Sequence, residues 1–240
     1  MNKSIEVSHL SKEYSGVRVV DDVSFQVEQG EVFGLLGHNG AGKSTTIDCI
    51  LGLTKSTKGS TSILGLEGAK NRIKLFEHVG VQLQHSYYQN NIKVKEVCEE
   101  VSVLYKNPKD YHVLLKQFQL ETFVEHMVKD LSGGEQQKLS VVIALIPNPR
   151  VIFLDELTTG LDVVARHEVW KNLKTLKKEG ITIFLTTHYM EEAENLCDRL
   201  MILKHGKAVV QGTVQEIIAQ SPYQTLEEAY LWHVGEENKA

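Results

Sequence analysis

The sequence predicts an α/β protein with three parts: a β-rich antiparallel start, an inserted helical block, and βαβ units around a mainly parallel sheet. Three observations carry this. The runs EVFGLLG (Glu31–Gly37), VIFLD (Val151–Asp155) and ITIFLTTH (Ile181–His188) are apolar on both faces, as buried parallel strands are. The segment between the last two has helical periodicity. The stretch from about Val94 to Pro149 reads as mainly helical and separates the first βα pair from the later ones.

The elements follow in order. VSFQVE alternates Val23, Phe25 and Val27 with polar residues, as a half-buried strand does. EVFGLLG then suits a central strand, and the apolar residues of STTIDCILGL suit a helix after it. Val169, Leu173 and Leu176 mark one face of a helix that Gly180 can end. RLMILKHGKAVVQG reads as a β-hairpin turning at His205-Gly206. No internal repeat, low-complexity tract or Pro/Gly-rich linker breaks the pattern.

At 240 residues the chain suits one large domain or two small ones, and 42 % hydrophobic with 24 % charged residues is a globular profile. A net charge of −5 gives no basic footprint, so no nucleic-acid partner is expected. Cys49, Cys98 and Cys197 are odd in number and lack metal-ligand spacing, so reduced thiols and a cytoplasmic location are expected. No apolar run approaches 18 residues, and MNKSIEVSHL lacks the features of a signal peptide. Work at a membrane would need a second chain to cross it.

Gly37-His38-Asn39-Gly40-Ala41-Gly42-Lys43-Ser44 fits G-x-x-x-x-G-K-[ST] between a strand and a helix, the context a phosphate-binding loop requires. Its glycines let backbone N–H groups point at phosphate oxygens, and the helix N-terminus adds positive potential. Lys43 can bridge the β- and γ-phosphates of a nucleotide and Ser44 can ligate Mg²⁺. VIFLDE ends a buried strand in Asp155 and Glu156, at the sheet edge where ligands of open α/β sheets bind. Asp155 suits a magnesium site, and Glu156 suits a general base for the attacking water. His188 ends the next such strand and reads either as a satisfied polar residue or as a γ-phosphate contact.

DLSGGEQQKLS (Asp130–Ser140) poses a separate problem. Ser132 and Glu135 form a capping-box pattern, yet the residues between them are Gly133 and Gly134. Glycine in a helix costs about 1 kcal/mol relative to alanine. Bare backbone at a helix N-terminus suits an anion.

With these residues assembled, the chain resembles the nucleotide-binding subunit of an ABC transporter over essentially its whole length. GHNGAGKST (Gly37–Thr45) matches the family's Walker A and LSGGE (Leu131, Ser132, Gly133, Gly134, Glu135) its signature, with Glu135 where glutamine is commonest. VIFLDE matches Walker B with its catalytic glutamate, TTGLD ending at Asp162 the D-loop, and TTH the switch histidine His188. The resemblance implies the ABC ATPase fold as a single domain over 1–240. In it, 1–84 and 150–240 form the P-loop core with its β-subdomain, and 85–149 the helical subdomain. It also implies ATP and Mg²⁺ as ligands and a catalytic set of Lys43, Glu156 and His188. The signature residues would bind the ATP of a partner cassette, in a homodimer or a heterodimer. A separately encoded membrane-spanning permease is implied, holding the chain at the inner face of the cell membrane. The run from TTHYMEEAENL and the ending TLEEAYLWHVG are most similar to bacterial exporters of drugs, antibiotics, bacteriocins or polysaccharides.

Tyr14 stands where the family stacks a ring on adenine; the alternative is packing on the small β-sheet. Gln82 and Gln84 are both candidates for the glutamine that senses Mg²⁺ and γ-phosphate, and alignment of VGVQLQ favours Gln84. The segment His85–Tyr105 lies where the family receives its membrane subunit. There Tyr87, Tyr88, Ile92 and Val94 supply either that contact or local core. Leu157 replaces the family's usual proline after the catalytic glutamate, which removes a backbone restriction but no phosphate ligand.

Overall fold

The computed structural model describes residues 3–83 and 88–235. Its elements begin with β1 (Lys3–Tyr14), β2 (Val17–Glu28), β3 (Val32–Leu36), α1 (Lys43–Ile50), β4 (Lys58–Ile63), α2 (Gly68–Phe76) and β5 (Val79–Gln82). Helices α3 (Val94–Ser102), α4 (Tyr111–Gln117) and α5 (Gly133–Leu145) come next, then β6 (Val151–Asp155) and α6 (Val163–Lys178). The chain continues through β7 (Thr182–Thr187), α7 (Met190–Leu196), β8 (Arg199–Lys204), β9 (Lys207–Gly212), α8 (Val214–Ala219) and α9 (Leu226–His233). By contact it divides into two units, Met1–Arg72 with Thr182–Ala240, and Ile73–Ile181.

The first unit holds an antiparallel sheet in the order β2-β1-β4. Alternation along β2 buries Val23, Phe25 and Val27, as the sequence pattern requires. The same unit has a layer in which β3 lies between β7 and β8, both parallel to it, and β8 pairs with β9 antiparallel. Strand β3 is buried along its whole length because it is covered on both faces. Phe25 of the first layer stacks on Phe33 at 5.0 Å and on Phe184 at 5.7 Å, which joins the two layers. Such pairs add about 0.5–1.5 kcal/mol beyond the area they bury. On another face Leu36, Leu200 and Ile202 pack with Ala193 of α7, Ile217 of α8, and Leu226 and Tyr230 of α9. The β8–β9 turn is the expected His205-Gly206, with φ of 47° and 77°, the paired left-handed geometry of a two-residue hairpin.

In the second unit β5 and β6 pair in parallel, from Val79 opposite Val151 to Gln82 opposite Leu154. Helix α5 lies so close to β5 that a Cβ on Gly80 would fall 2.0 Å from the Ala144 carbonyl oxygen. Helix α6 buries Val169, Leu173 and Leu176 on one face. It ends where Gly180, at φ 85°, donates its N–H to Lys177 O. Residues 88–149 lie within this unit, together with β5, β6 and α6. Ile92 and Val94 are buried, which is the core alternative for those two; Tyr87 lies outside the described residues. Among the described residues no helix is long and apolar enough to cross a membrane.

Candidate functional site

In the first unit β3 delivers the chain to residues 37–42, which lead directly into α1. Gly42 is the N-cap of α1 at φ 105°; no side chain caps the helix and its first turn holds no acidic residue. A helix start of this kind offers N–H groups and positive potential to an anion. Lys43 is 4 % exposed, and its ammonium donates to Gly37 O at 2.8 Å and His38 O at 3.2 Å. It therefore lies inside the loop it closes. Ser44 is exposed and Thr45 half-buried, while Asn39 and Gly40 face outward. Ala41 is buried.

Two neighbours hold the loop. Gly37 N–H donates to Thr187 O at 3.3 Å, so His188, the next residue, sits beside the loop's base. On another side Gly206 N–H donates to Ala41 O at 2.9 Å, and Asp21 N–H donates to Gly206 O at 2.8 Å. The His38 and His205 rings meet edge-on, 5.4 Å apart. The sequence showed the His205-Gly206 turn but not this support; the only trace was a glycine in a tight turn. Tyr14 ends β1 with 44 % of its surface exposed, and the Lys12 ammonium lies 4.4 Å from its ring centroid.

In the second unit Asp155 closes β6 at 3 % exposure, and Glu156 follows at 7 %. Glu156 has φ 50°, the left-handed region, which costs a non-glycine residue about 1–3 kcal/mol and marks functional sites. Thr159 N–H donates to Glu156 O at 3.1 Å and starts the turn toward Asp162. Leu157 is 3 % exposed, so the residue in place of proline is part of the core. Asp162 is the exposed N-cap of α6, its carboxylate accepting from Ala165 N–H at 2.9 Å. Ser132 is the N-cap of α5: its hydroxyl accepts from Glu135 N–H at 3.3 Å, and the Glu135 carboxylate accepts from Ser132 N–H at 2.7 Å. The capping box is therefore formed. Leu131 is buried and Ser132 and Gly133 are exposed. Gln82 ends β5 at 3 % exposure, its amide donating to Leu83 O at 2.7 Å; Gln84 lies outside the described residues.

The first unit thus brings the phosphate loop and His188 together, and the second brings the LSGGE loop and Asp162 onto adjoining helix starts. Residues 20–159 match a family model described as ABC transporter. The chain belongs to the ABC transporter family. Nod factor export ATP-binding protein I of Sinorhizobium fredii is 40 % identical over 221 residues, 90 % of this chain and 64 % of that protein. A probable multidrug ABC transporter ATP-binding protein of Escherichia coli, YbhF, is 33 % identical over 98 % of this chain and 42 % of its own length. The cassette therefore spans less than two thirds of either relative. A solved ATP-binding subunit of an ABC transporter superposes with a TM-score of 0.86 at 30 % identity, covering 95 % of this chain and 98 % of that one. A solved dimeric bacterial ABC transporter cassette superposes with a TM-score of 0.77 at 25 % identity, over 87 % of this cassette and 98 % of that chain.

Proposed function

We propose that the chain is the ATP-binding and ATP-hydrolysing subunit of an exporter, acting through a separate membrane-spanning subunit at the cytoplasmic face of the membrane. The observation that carries this reading is the phosphate loop: a helix start bare of side-chain caps and carboxylates, closed by the buried Lys43. Such a site fits a polyphosphate. The relatives' names, which speak of Nod factor export and of a multidrug transporter, support the direction.

In this reading Gly37, His38, Asn39, Gly40, Ala41, Gly42 and Thr45 surround the phosphates and Lys43 bridges the β and γ groups. Ser44 and Asp155, with Gln84, offer hard oxygen donors, the set Mg²⁺ takes. The ion supplies charge neutralisation on the phosphates. Glu156 accepts a proton from the attacking water, which displaces ADP from the γ-phosphorus. His188 contacts the γ-phosphate and Tyr14 stacks on adenine. Leu131–Glu135 meet the ATP of a second cassette, with Asp162 beside them; that a solved relative is described as dimeric supports the pairing of two cassettes.

The test is ATP turnover by the purified chain with no added acceptor, together with affinity purification from its own cells. Turnover and a co-purifying membrane-spanning protein are expected. Turnover only with an acceptor substrate would make the chain a phosphotransferase, and turnover with no membrane partner would make it a switch module.

A further inference from the structure

The two glycines of the LSGGE loop have different surroundings. A Cβ built on Gly133 meets nothing within 4 Å. A Cβ on Gly134 would lie 3.1 Å from Ala165 Cβ, tighter than side chains normally approach. Ala165 is also the residue whose N–H the Asp162 carboxylate accepts. One turn further along both helices, Lys138 forms an ion pair with Glu168, and Lys138 is 7 % exposed. Gly134 and Lys138 are four apart and Ala165 and Glu168 three apart, so each pair lies on one helix face. The contacts ascend together. Helices α5 and α6 therefore leave neighbouring N-termini and run in the same direction side by side.

We infer that Gly134 is a positioning residue: its missing side chain lets α5 seat against Ala165, with the Lys138–Glu168 pair as a pin, so that Ser132 and Asp162 are held as one rigid edge. Gly133, where a Cβ would meet nothing within 4 Å, is the glycine of the loop that packing inside the cassette leaves open. The requirement for glycine at 134 thus comes from inside the cassette, and that at 133 from outside it. A buried lysine paired across two helices fixes their register, because removing Glu168 would leave the buried Lys138 ammonium without its counterpart. The inference rests on the reading of this loop as the surface that meets a partner cassette's ATP.

A size exchange tests it, read as ATP-driven dimerisation by light scattering in a Glu156→Gln parent, with ATP affinity of the single cassette as the check on folding. Gly134→Ala is expected to weaken the dimer by about tenfold, since overpacking a tight contact costs about 1–3 kcal/mol. Adding Ala165→Gly makes room for that methyl group and is expected to restore the dimer to within about threefold of the parent. Gly133→Ala should weaken the dimer as well, and Ala165→Gly should not restore it. Lys138→Met should weaken the dimer while Lys138→Arg keeps it, a second readout if Gly134→Ala folds poorly. Failure of Ala165→Gly to rescue Gly134→Ala, or equal rescue at both glycines, overturns the inference. Loss of dimerisation in the parent itself sinks the functional reading instead, and the inference with it.

Discussion

The backbone N–H of Gly206 donates to the carbonyl of Ala41 at 2.9 Å, so the tip of the β8–β9 hairpin braces the middle of the phosphate loop. Gly206 has φ 77°, and a Cβ there would fall 2.3 Å from Val19 O. Gly206→Ala must therefore shift the turn or the loop. The expected cost is about 1–3 kcal/mol, a fall in Tm of about 2–4 °C for each kcal/mol in a chain of this size. Nucleotide affinity should fall with it, because the loop that Gly206 braces would shift. Calorimetric titration with ATP checks this; unchanged affinity alongside a lowered Tm would separate the hairpin from the loop.

Glu156 and Lys43 test the proposed division between binding and chemistry. Glu156→Gln keeps the side chain's size and removes its basicity, so turnover should fall about 10²–10⁴-fold while ATP binding persists. The variant should accumulate as a dimer in ATP. Lys43→Ala removes the ammonium inside the loop and should lose ATP affinity outright. Single-turnover assays and equilibrium binding distinguish the two; a Glu156→Gln protein with normal turnover would remove the general-base assignment.

Tyr14 tests the adenine contact. Its ring is partly exposed, so truncation should leave Tm nearly unchanged. Tyr14→Ala is expected to cost about 1–3 kcal/mol of nucleotide binding, and Tyr14→Trp to retain it. A large loss of Tm with unchanged affinity would return the ring to the small sheet.

The thiols give a pH-dependent prediction. Burial disfavours the thiolate and pushes Cys49 up to about 11 and Cys98 to about 12. At pH 8 their thiolate fractions are then about 10⁻³ and 10⁻⁴, and the thiolate is the reactive form. Labelling of the native protein at pH 8 should be confined to the half-buried Cys197, with Cys49 and Cys98 reacting only on unfolding. Mass spectrometry of labelled peptides reads this directly.

The parts of the fold that burial dictates were legible. VFGLL, VIFLD and TIFLTT are apolar on both faces and became β3, β6 and β7, each buried along its whole length. Their ends also carry the candidate site residues: Asp155 closes β6, His188 follows β7, and Lys43 lies past the loop after β3. The capping box at Ser132 and Glu135 was legible because its rule is local. What sequence could not give were relations across long separations. The bond from Gly206 to Ala41 joins residues 165 positions apart and leaves no periodic signal. Ala165 beside Gly134 is an ordinary alanine in an ordinary helix until the packing is known. The backbone of Glu156 was equally hidden, since glutamate has no preference for positive φ.

The left-handed backbone at Glu156 bears on how this protein would respond to laboratory evolution. Glycine and asparagine hold that conformation with less strain, so either exchange should make the chain harder to melt. Neither brings a carboxylate to the end of β6. On the proposed general-base role of Glu156, a library selected only for heat resistance would enrich inert proteins at position 156, and a natural sequence that has drifted to glycine there would mark a cassette that binds ATP without consuming it.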